Sequence, residues 1–300
     1  LIARCKETGA VPCAVAHPCD ESSLRGAVEA GEMGLLRPVL VGPVARITEL
    51  AAQCGLDISS LERVDAAHSV ESAETAVRLA REGKVELLMK GSLHTDELMG
   101  EVVARANGLR TNRRISHVFL MDVPTYHRPL LITDAAINIA PTLEEKVDII
   151  QNAIDLAHII GIPEPKVAIL SAVETVNVKI RSTLDAAALC KMADRGQIKG
   201  GLLDGPLAFD NAISLVAAKT KGIRSAVAGQ ADILVVPDLE SGNMVAKQLE
   251  YLADALMAGV VLGARVPIVL TSRADTAETR TASCAIAQLM AHKRRQGVRL

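Results

Sequence analysis

Aromatic side chains are almost missing from this 300-residue chain, which has two Phe, two Tyr and no Trp. Hydrophobic residues still make up 49% of the sequence, so its cores must be built from Ala, Val, Leu and Ile. So few aromatics argue against the stacking platforms on which single-stranded nucleic acids bind. The net charge of −2 also gives no basic surface for a phosphate backbone. Nucleic acid is therefore not expected as a partner.

Long apolar runs, a secretory signal and paired cysteines are absent too. Charged residues interrupt every hydrophobic stretch before it reaches the roughly 20 residues of a membrane span, so no membrane insertion is expected. The six cysteines form no CxxC pair and no metal-site spacing. In a large apolar chain such cysteines indicate reduced thiols and a cytoplasmic location. Because the chain opens on Leu1 rather than Met, a start further upstream is an expectation as well.

One histidine is flanked by two of these cysteines. Cys13 and Cys19 lie on either side of His17, which suggests a metal site or a nucleophile. Small buried side chains near the end of a strand explain this spacing better.

The first third of the chain alternates between strand patterns and helix patterns. Short apolar runs at 9–16, 38–41 and 85–90 are each bounded by Gly or Pro, and helical spacing of apolar residues separates them. Strands that alternate with helices predict an α/β fold, with a mostly parallel sheet and helices on its faces.

The alternation breaks once, near the middle of the chain. The apolar runs 115–121 and 129–133 are too close for a crossover helix, so an antiparallel hairpin is expected there, and with it a plausible change of domain. A helix should follow, because Thr142 and Glu145 have the spacing of a capping box. Residues 249–261, rich in Ala and Leu, predict a buried helix.

Polar residues follow strand after strand in the second half of the chain. The predicted strands end on Asp134, Ser171, Asp204, Asp238 and Ser272. Asp and Ser are also good helix caps, which would account for part of their recurrence at these strand ends. In α/β sheets, however, ligands bind at the carboxyl ends of the strands, so the pattern favours a lined cleft at that edge.

The last of these strand ends has the most suggestive chemistry. Residues 268–270 form a buried-strand pattern, and Ser272, Arg273, Asp275 and Glu278 follow before helical spacing begins. A guanidinium suits two-point binding of a phosphate. The alternative is that Ser272 only caps the helix and Arg273 is only a surface cation.

A second strand-to-helix corner also suggests an anion site. Lys90, Gly91 and Ser92 follow a strand, and His94 and Thr95 open a helix whose N–H groups and dipole favour negative charge. The GxxxxGK[ST] spacing of a Walker A loop is absent. His94 could equally be a capping or packing residue. No GxGxxG follows any strand, which gives a dinucleotide oxidoreductase little support.

Several motifs together resemble those of the phosphate acetyltransferase and phosphate butyryltransferase family, over nearly the whole chain. They are residues 88–91 with His94 and Thr95, 131–138, 184–190, 204–210, 232–238 with Gly242 and Asn243, and 270–275. The chain looks closer to the butyryltransferase-like branch, which includes proteins where this domain follows an enoyl-CoA hydratase-like domain.

The resemblance implies a fold and a reaction. The fold is that of isocitrate and isopropylmalate dehydrogenases: two α/β/α domains with an interdomain cleft, here 1–111 with 261–300, and 112–260. The protein would be a homodimer. It would transfer a short acyl group (acetyl, propionyl or butyryl) reversibly between acyl-CoA and inorganic phosphate, giving acyl phosphate and free CoA. CoA would be a substrate, and neither a bound cofactor nor a metal is expected.

The resemblance also implies roles for individual residues. Arg273 would bind the phosphate, and Ser272 would hydrogen-bond the reacting thioester. Further contacts to substrate or phosphate would come from Lys90, His94, Thr95, Asp134, Asn138, Asp238, Gly242 and Asn243.

Two positions depart from the acetyltransferase pattern. The proposed base, an Asp seven residues after the Ser, is Thr279 here, so Asp275 or, less favoured, Glu278 would take its place. An Arg on the helix after the His-Thr pair is replaced by Gly100. The missing charge could come from Lys90, Arg113 or Arg114.

Two alternatives to an active transferase stay open, the first of them because of these departures. One is a non-catalytic relative that binds CoA or an acyl phosphate. The other is an isopropylmalate dehydrogenase-like oxidoreductase. The latter would need clustered Asp residues for Mg²⁺ and an Arg-rich substrate loop, and neither is assembled in the sequence.

Overall fold

The computed structural model describes residues 2–5, 7–270 and 275–297, and the chain forms two compact units. Unit 1 comprises Leu1–Arg113 and Ala258–Leu300, and unit 2 comprises Arg114–Met257. The second domain predicted from the sequence begins at 112 and ends at 260. The division into domains stays a prediction.

Unit 1 begins with the strand and helix alternation expected from the sequence. Its elements are α1 (Ile2–Cys5), β1 (Val11–Ala16), α2 (Glu21–Glu32), β2 (Leu36–Gly42), α3 (Val44–Cys54), β3 (Glu62–Asp65), α4 (Ser69–Arg81), β4 (Leu87–Lys90) and α5 (Thr95–Val103). The four strands pair with one another in parallel orientation, as β3-β2-β1-β4. This confirms the crossover helices that the sequence predicts.

Unit 2 holds the middle of the chain. Its elements are β5 (Ser116–Asp122), β6 (Leu130–Thr133), α6 (Leu143–Ile160), β7 (Lys166–Leu170), α7 (Arg181–Asp194), β8 (Leu202–Leu207), α8 (Phe209–Ile213), α9 (Leu215–Thr220), β9 (Ile233–Val235) and α10 (Leu239–Leu252). The strand order is β5-β6-β9-β7-β8, and only β5 is antiparallel. The predicted hairpin is therefore confirmed. So is the capping box that Thr142 and Glu145 form at the start of α6.

The end of the chain returns to unit 1 through β10 (Leu256–Leu262), β11 (Ile268–Val269) and α11 (Ala277–Arg295). The strand order of this unit is β3-β2-β1-β4-β11-β10. Strand β11 pairs with β4 in parallel and with β10 in antiparallel orientation. Both units thus have mostly parallel sheets, and the predicted α/β fold class is confirmed.

One predicted element and the predicted end of another were wrong. Residues 249–261 are not one helix: α10 ends at Leu252, Asp254 has a φ of +51°, and β10 begins at Leu256. A continuous apolar run fits a buried strand as well as a buried helix, so periodicity alone could not separate them. The strand predicted to end at Asp204 continues through Pro206 to Leu207. Proline is tolerated there because β8 lies at the end of the strand order.

The core of unit 2 is aliphatic, as the composition predicts. Buried Ala, Val, Leu, Ile and Met side chains form it, and Phe119, Tyr126 and Phe209 pack against it while only partly buried. Within the described parts of the chain, no helix is both long enough and apolar enough to cross a membrane.

Candidate functional site

The carboxyl ends of β1, β4 and β11 meet at one edge of unit 1. Ala16 is paired with Lys90, and Met89 is paired with Val269. Because these strands are parallel neighbours, they end at the same level. The corner that follows β4 therefore lies at this edge, and β11 ends beside it at Val269.

Lys90 is a buried charged group at this edge. Its side chain is 7% exposed, and Nζ donates to the carbonyl oxygens of Gly91 and Leu93, each at 3.2 Å. The ammonium group is thus held by the loop that follows its own strand. A role in phosphate binding stays a prediction.

Gly91 allows that loop to pack on the end of β1. Its N–H donates to Ala16 O at 2.9 Å, and Ser92 N–H donates to His17 O at 2.9 Å. A Cβ at Gly91 would press on the Ala16 carbonyl and lie 2.5 Å from His17 O. The loop can approach this closely only because residue 91 has no side chain.

We expect Gly91→Ala to lower the free energy of unfolding by about 3 kcal/mol, because backbone atoms must move to admit the methyl group. Gly100→Ala is the matched control: Gly100 lies in α5, and a Cβ there meets no atom within 4 Å. That variant should gain about 0.5–1 kcal/mol from helix propensity. Urea unfolding followed by circular dichroism measures both, and equal values would contradict the close packing at Gly91.

The start of α5 carries its own negative charge. His94 is the N-cap, and its N–H donates to Glu97 Oε2 at 2.7 Å, while Ser69 donates to Oε1. Hydrogen bonds from Ser69 and from the His94 N–H lower the pKa of Glu97. This carboxylate competes with any anion at the helix start, although His94 and Thr95 are exposed there.

The last corner is described only in part. Ser272 and Arg273 lie outside the described residues, so their predicted roles stay predictions. Asp275 is half-buried and Glu278 is exposed in the first turn of α11. The N-cap of α11 is Thr276, whose Oγ1 accepts a hydrogen bond from Thr279 N–H at 3.1 Å. Ser272 is therefore not the cap of this helix.

The position at which the resemblance implies the base is occupied by a buried hydroxyl. Thr279 is 7% exposed, and its Oγ1 accepts a hydrogen bond from Thr276 at 3.2 Å. A threonine hydroxyl cannot take a proton from a thiol near neutral pH.

In unit 2, Asp134 is enclosed by hydrogen-bond donors. The residue follows β6 and is 3% exposed. Its Oδ1 accepts from the N–H groups of Ala136 and Ile137, both at 2.9 Å. Its Oδ2 accepts from His117 N–H and from both the backbone and the side chain of Asn138. Five donors of its own unit thus bind the carboxylate, and a substrate contact stays a prediction.

Asn138 is also fully engaged. It is 2% exposed; its Nδ2 also donates to Ile115 O, and its Oδ1 accepts from Arg114 Nε at 2.7 Å. Arg114 forms an ion pair with Glu145 at 2.8 Å as well. This guanidinium, a candidate for the charge missing at Gly100, is therefore already paired within unit 2.

His117 is the buried titratable group beside Asp134. It is 1% exposed, and its Nδ1 has no hydrogen-bond partner among the described residues. Burial lowers its pKa to about 4, although the charge of Asp134 acts in the opposite direction. The folded protein therefore keeps this imidazole neutral well below its ordinary pKa.

This burial predicts a loss of stability in acid. Between pH 6.5 and 4 the unfolded chain protonates His117 while the folded chain does not, so about 3 kcal/mol is lost as the pH falls. We expect His117→Phe to remove this part of the pH dependence of unfolding in urea. His127→Gln changes an exposed histidine and should leave the dependence intact. An unchanged slope in His117→Phe would contradict the prediction.

The other predicted residues of unit 2 lie around the start of α10. Asp238 follows β9 and caps α10, with Oδ1 accepting from Ser241 N–H at 2.8 Å. Gly242 is packed so closely that a Cβ would lie 2.7 Å from Val236 and 3.0 Å from Ala135. Asn243 is exposed. These residues share one edge with Asp134, because β6 and β9 are parallel neighbours.

A cavity of about 490 Å³ lies beside Asp238 in unit 2. Its lining includes Lys146, Arg181 and Asp185. Asp185 is paired with Lys146 Nζ at 2.9 Å and with Arg181 Nε at 3.0 Å. Burial acts to raise the pKa of Asp185, but hydrogen bonds from these two cations lower it overall. The positive charges of Lys146 and Arg181 are balanced by the carboxylates of Asp185 and Asp238, so the lining has no preference for an anion.

Sequence reasoning missed Lys146 and Arg181. Lys146 could have been found as a lysine that falls among the buried positions of α6. Its side chain is 5% exposed there. Among the described residues, no three His, Cys, Asp or Glu side chains come together in a way that could hold a metal ion.

Comparisons with known proteins agree on one family. A sequence model of the family described as "phosphate acetyl/butaryl transferase" matches residues 68–288. The phosphate acetyltransferase of Rhizobium meliloti is 65% identical over 295 residues, which cover 98% of this chain and 93% of that protein. The phosphate butyryltransferase of Clostridium acetobutylicum is 43% identical, over 95% of this chain and 94% of that protein.

A solved structure extends the agreement to the fold. The crystal structure of a branched-chain phosphotransacylase from Enterococcus faecalis V583 superposes with a TM-score of 0.82 and 29% identity, covering 94% of this chain and 99% of that one. The motifs at 88–91, 131–138, 184–190, 204–210 and 232–238 all lie within the matched region 68–288. The chain therefore belongs to the phosphate acetyl/butyryl transferase family.

Proposed function

We propose that this protein transfers a short acyl group reversibly between CoA and inorganic phosphate: acyl-CoA and phosphate give acyl phosphate and free CoA. The observation that carries the proposal is the 65% identity to a phosphate acetyltransferase across 98% of the chain. Acetyl is the acyl group we propose as preferred, because identity to a phosphate butyryltransferase is lower, at 43%.

The chemistry needs three contributions from the protein. Two anionic reactants must be held together, so cations and N–H groups must offset the charge of the phosphate. Developing charge on the thioester oxygen must be stabilised, and a base must take the thiol proton. We propose Arg273 and Lys90 for the phosphate and Ser272 for the thioester, with His94 and Thr95 at the exposed start of α5.

Asp134, Asn138, Asp238, Gly242 and Asn243 are proposed as the supporting residues in unit 2. The first two are buried and hydrogen-bonded, and they fix the loop after β6. Asn243 is exposed at the same edge, and its Nδ2 donates to Ala135 O at 3.4 Å. It is therefore the member of this group most accessible to a substrate.

The reaction is tested by release of free CoA from acetyl-CoA, propionyl-CoA and butyryl-CoA, detected with a thiol reagent with and without phosphate. Release that requires phosphate, fastest with acetyl-CoA, is the expected result. No release from a folded protein that still binds CoA would instead favour the non-catalytic relative. Reduction of NAD by a hydroxy acid in the presence of Mg²⁺ would instead point to the dehydrogenase-like alternative.

We also propose a cytoplasmic homodimer. Supporting the dimer, Met244, Tyr251 and Leu252 lie on α10 at helical spacing and are 61%, 64% and 82% exposed. Exposed apolar side chains grouped in this way are typical of protein interfaces. Light scattering should give the mass of two chains, and a monomer at micromolar concentration would contradict the proposal.

A further inference from the structure

His17 lies at the edge of unit 1 where the carboxyl ends of β1, β4 and β11 meet, and its backbone conformation is unusual. It follows β1 directly and has a φ of +55°, which is uncommon for a residue other than glycine. Its N–H donates to Val41 O at 2.7 Å. Its carbonyl oxygen accepts from Cys19 N–H at 2.8 Å and from the N–H and hydroxyl of Ser92 at 2.9 and 2.8 Å. Such over-determined conformations concentrate at functional sites.

The hydrogen bonds around the ring determine its tautomer. The Ser72 hydroxyl donates to His68 O at 2.8 Å, so its only proton is used. Ser72 Oγ therefore accepts from His17 Nδ1, which lies 3.0 Å away. With the proton on Nδ1, the neutral ring carries its lone pair on Nε2, the position from which an imidazole acts as a base.

The electrostatic surroundings keep this ring neutral. Burial is the largest effect lowering the pKa of His17, and Arg46 and His68 act in the same direction. Glu97 and Asp20 act in the opposite direction but do not compensate. At neutral pH the ring can therefore take a proton.

The reaction lacks an obvious base. Thr279 cannot serve, and the groups near it that could replace it, Asp275 and Glu278, are carboxylates. A general base works best when its pKa lies closer to the operating pH, which favours an imidazole. His17 follows β1, whose neighbour in the sheet is β4. The next strand after β4 is β11, which precedes Asp275 in the chain.

We propose that His17 Nε2 accepts the thiol proton of CoA, an inference that rests on the proposed acyl transfer. As the sulfur attacks the carbonyl carbon of an acyl phosphate, the S–H proton passes to Nε2. The new S–C bond forms, the bond from that carbon to the phosphate oxygen breaks, and phosphate leaves with the bonding pair. In the reverse direction, His17 returns the proton to the departing thiolate.

The test uses two variants that suit a positive φ, His17→Asn and His17→Gly. Asparagine can still donate to Ser72 but cannot act as a base. We expect a fall of about 10²- to 10⁴-fold in kcat for acyl phosphate and CoA, with an unchanged KM and an unchanged urea midpoint. The acid limb of the pH profile, below pH 6.5 in the wild type, should disappear. Imidazole added to His17→Gly should restore part of the rate.

His127→Asn is the matched control: it changes an exposed histidine that is not among the groups acting on the pKa of His17, so its rate and acid limb should be those of the wild type. Wild-type turnover in the same assay tests the transferase reaction separately. A His17→Asn variant with wild-type rate and acid limb would overturn the inference. So would loss of the acid limb in Asp275→Asn while His17→Asn retains it.

Discussion

Asp134→Ala is expected to lower the free energy of unfolding by about 5 kcal/mol, because even at ~1 kcal/mol for each buried donor left without an acceptor, five donors give that loss. These donors are backbone and side-chain N–H groups of the loop after β6 and of β5. Asp134→Asn should lose less, because its oxygen can still serve two of the five. With no Trp in the chain, urea unfolding is best followed by far-ultraviolet circular dichroism.

Asp238→Ala is the control for this prediction. Asp238 also follows a strand of unit 2, but it is half-buried and serves as an N-cap, so its loss should cost about 1 kcal/mol. If both variants lost the same stability, the network around Asp134 would not be what holds the loop. A role of its carboxylate in substrate binding would then be the better explanation.

Arg273→Ala is expected to reduce kcat/KM for phosphate by about 10²- to 10³-fold, the usual effect of removing a donor aimed at developing charge. Arg273→Lys should recover only part of the rate, because an ammonium group is a point charge and cannot bind a phosphate through two parallel hydrogen bonds. The measurement is initial rate against phosphate concentration at saturating acetyl-CoA.

Arg265→Ala serves as the matched control, since Arg265 is an exposed arginine between β10 and β11 of the same unit. Its kinetics should match those of the wild type. Unchanged phosphate kinetics in Arg273→Ala, with normal unfolding, would exclude Arg273 from the site.

Much of the fold follows from local sequence patterns. The buried strands, the crossover helices, the hairpin of β5 and β6 and the capping box at Thr142 each depend on residues close together in the chain. The last helix is a further example: helical spacing of apolar residues follows Glu278 in the sequence, and α11 forms there, although residues 283–291 are buried all round rather than on one face. Family motifs lie on the same elements and identified the reaction class.

Local sequence patterns failed where every residue of a segment is apolar, and where the place of a strand depends on pairing with segments distant in the chain. The apolar run of β10 has no period to separate strand from helix, and β8 passes through Pro206 because its place at the end of the strand order tolerates a missing donor. Only the order of strands in the sheet shows that β8 lies at its end.

The state of several buried or partly buried residues was decided by partners distant in sequence. His17 Nδ1 is bonded to Ser72, 55 residues away, and Asp134 accepts from His117, 17 residues away. Asp185 is paired with Lys146 across 39 residues. The sequence by itself determined most of the elements and the family they belong to, since both depend on local pattern and motif. Which nitrogen carries a proton, and which carboxylate is enclosed, depends on which strands and helices become neighbours, and only the tertiary structure decides that.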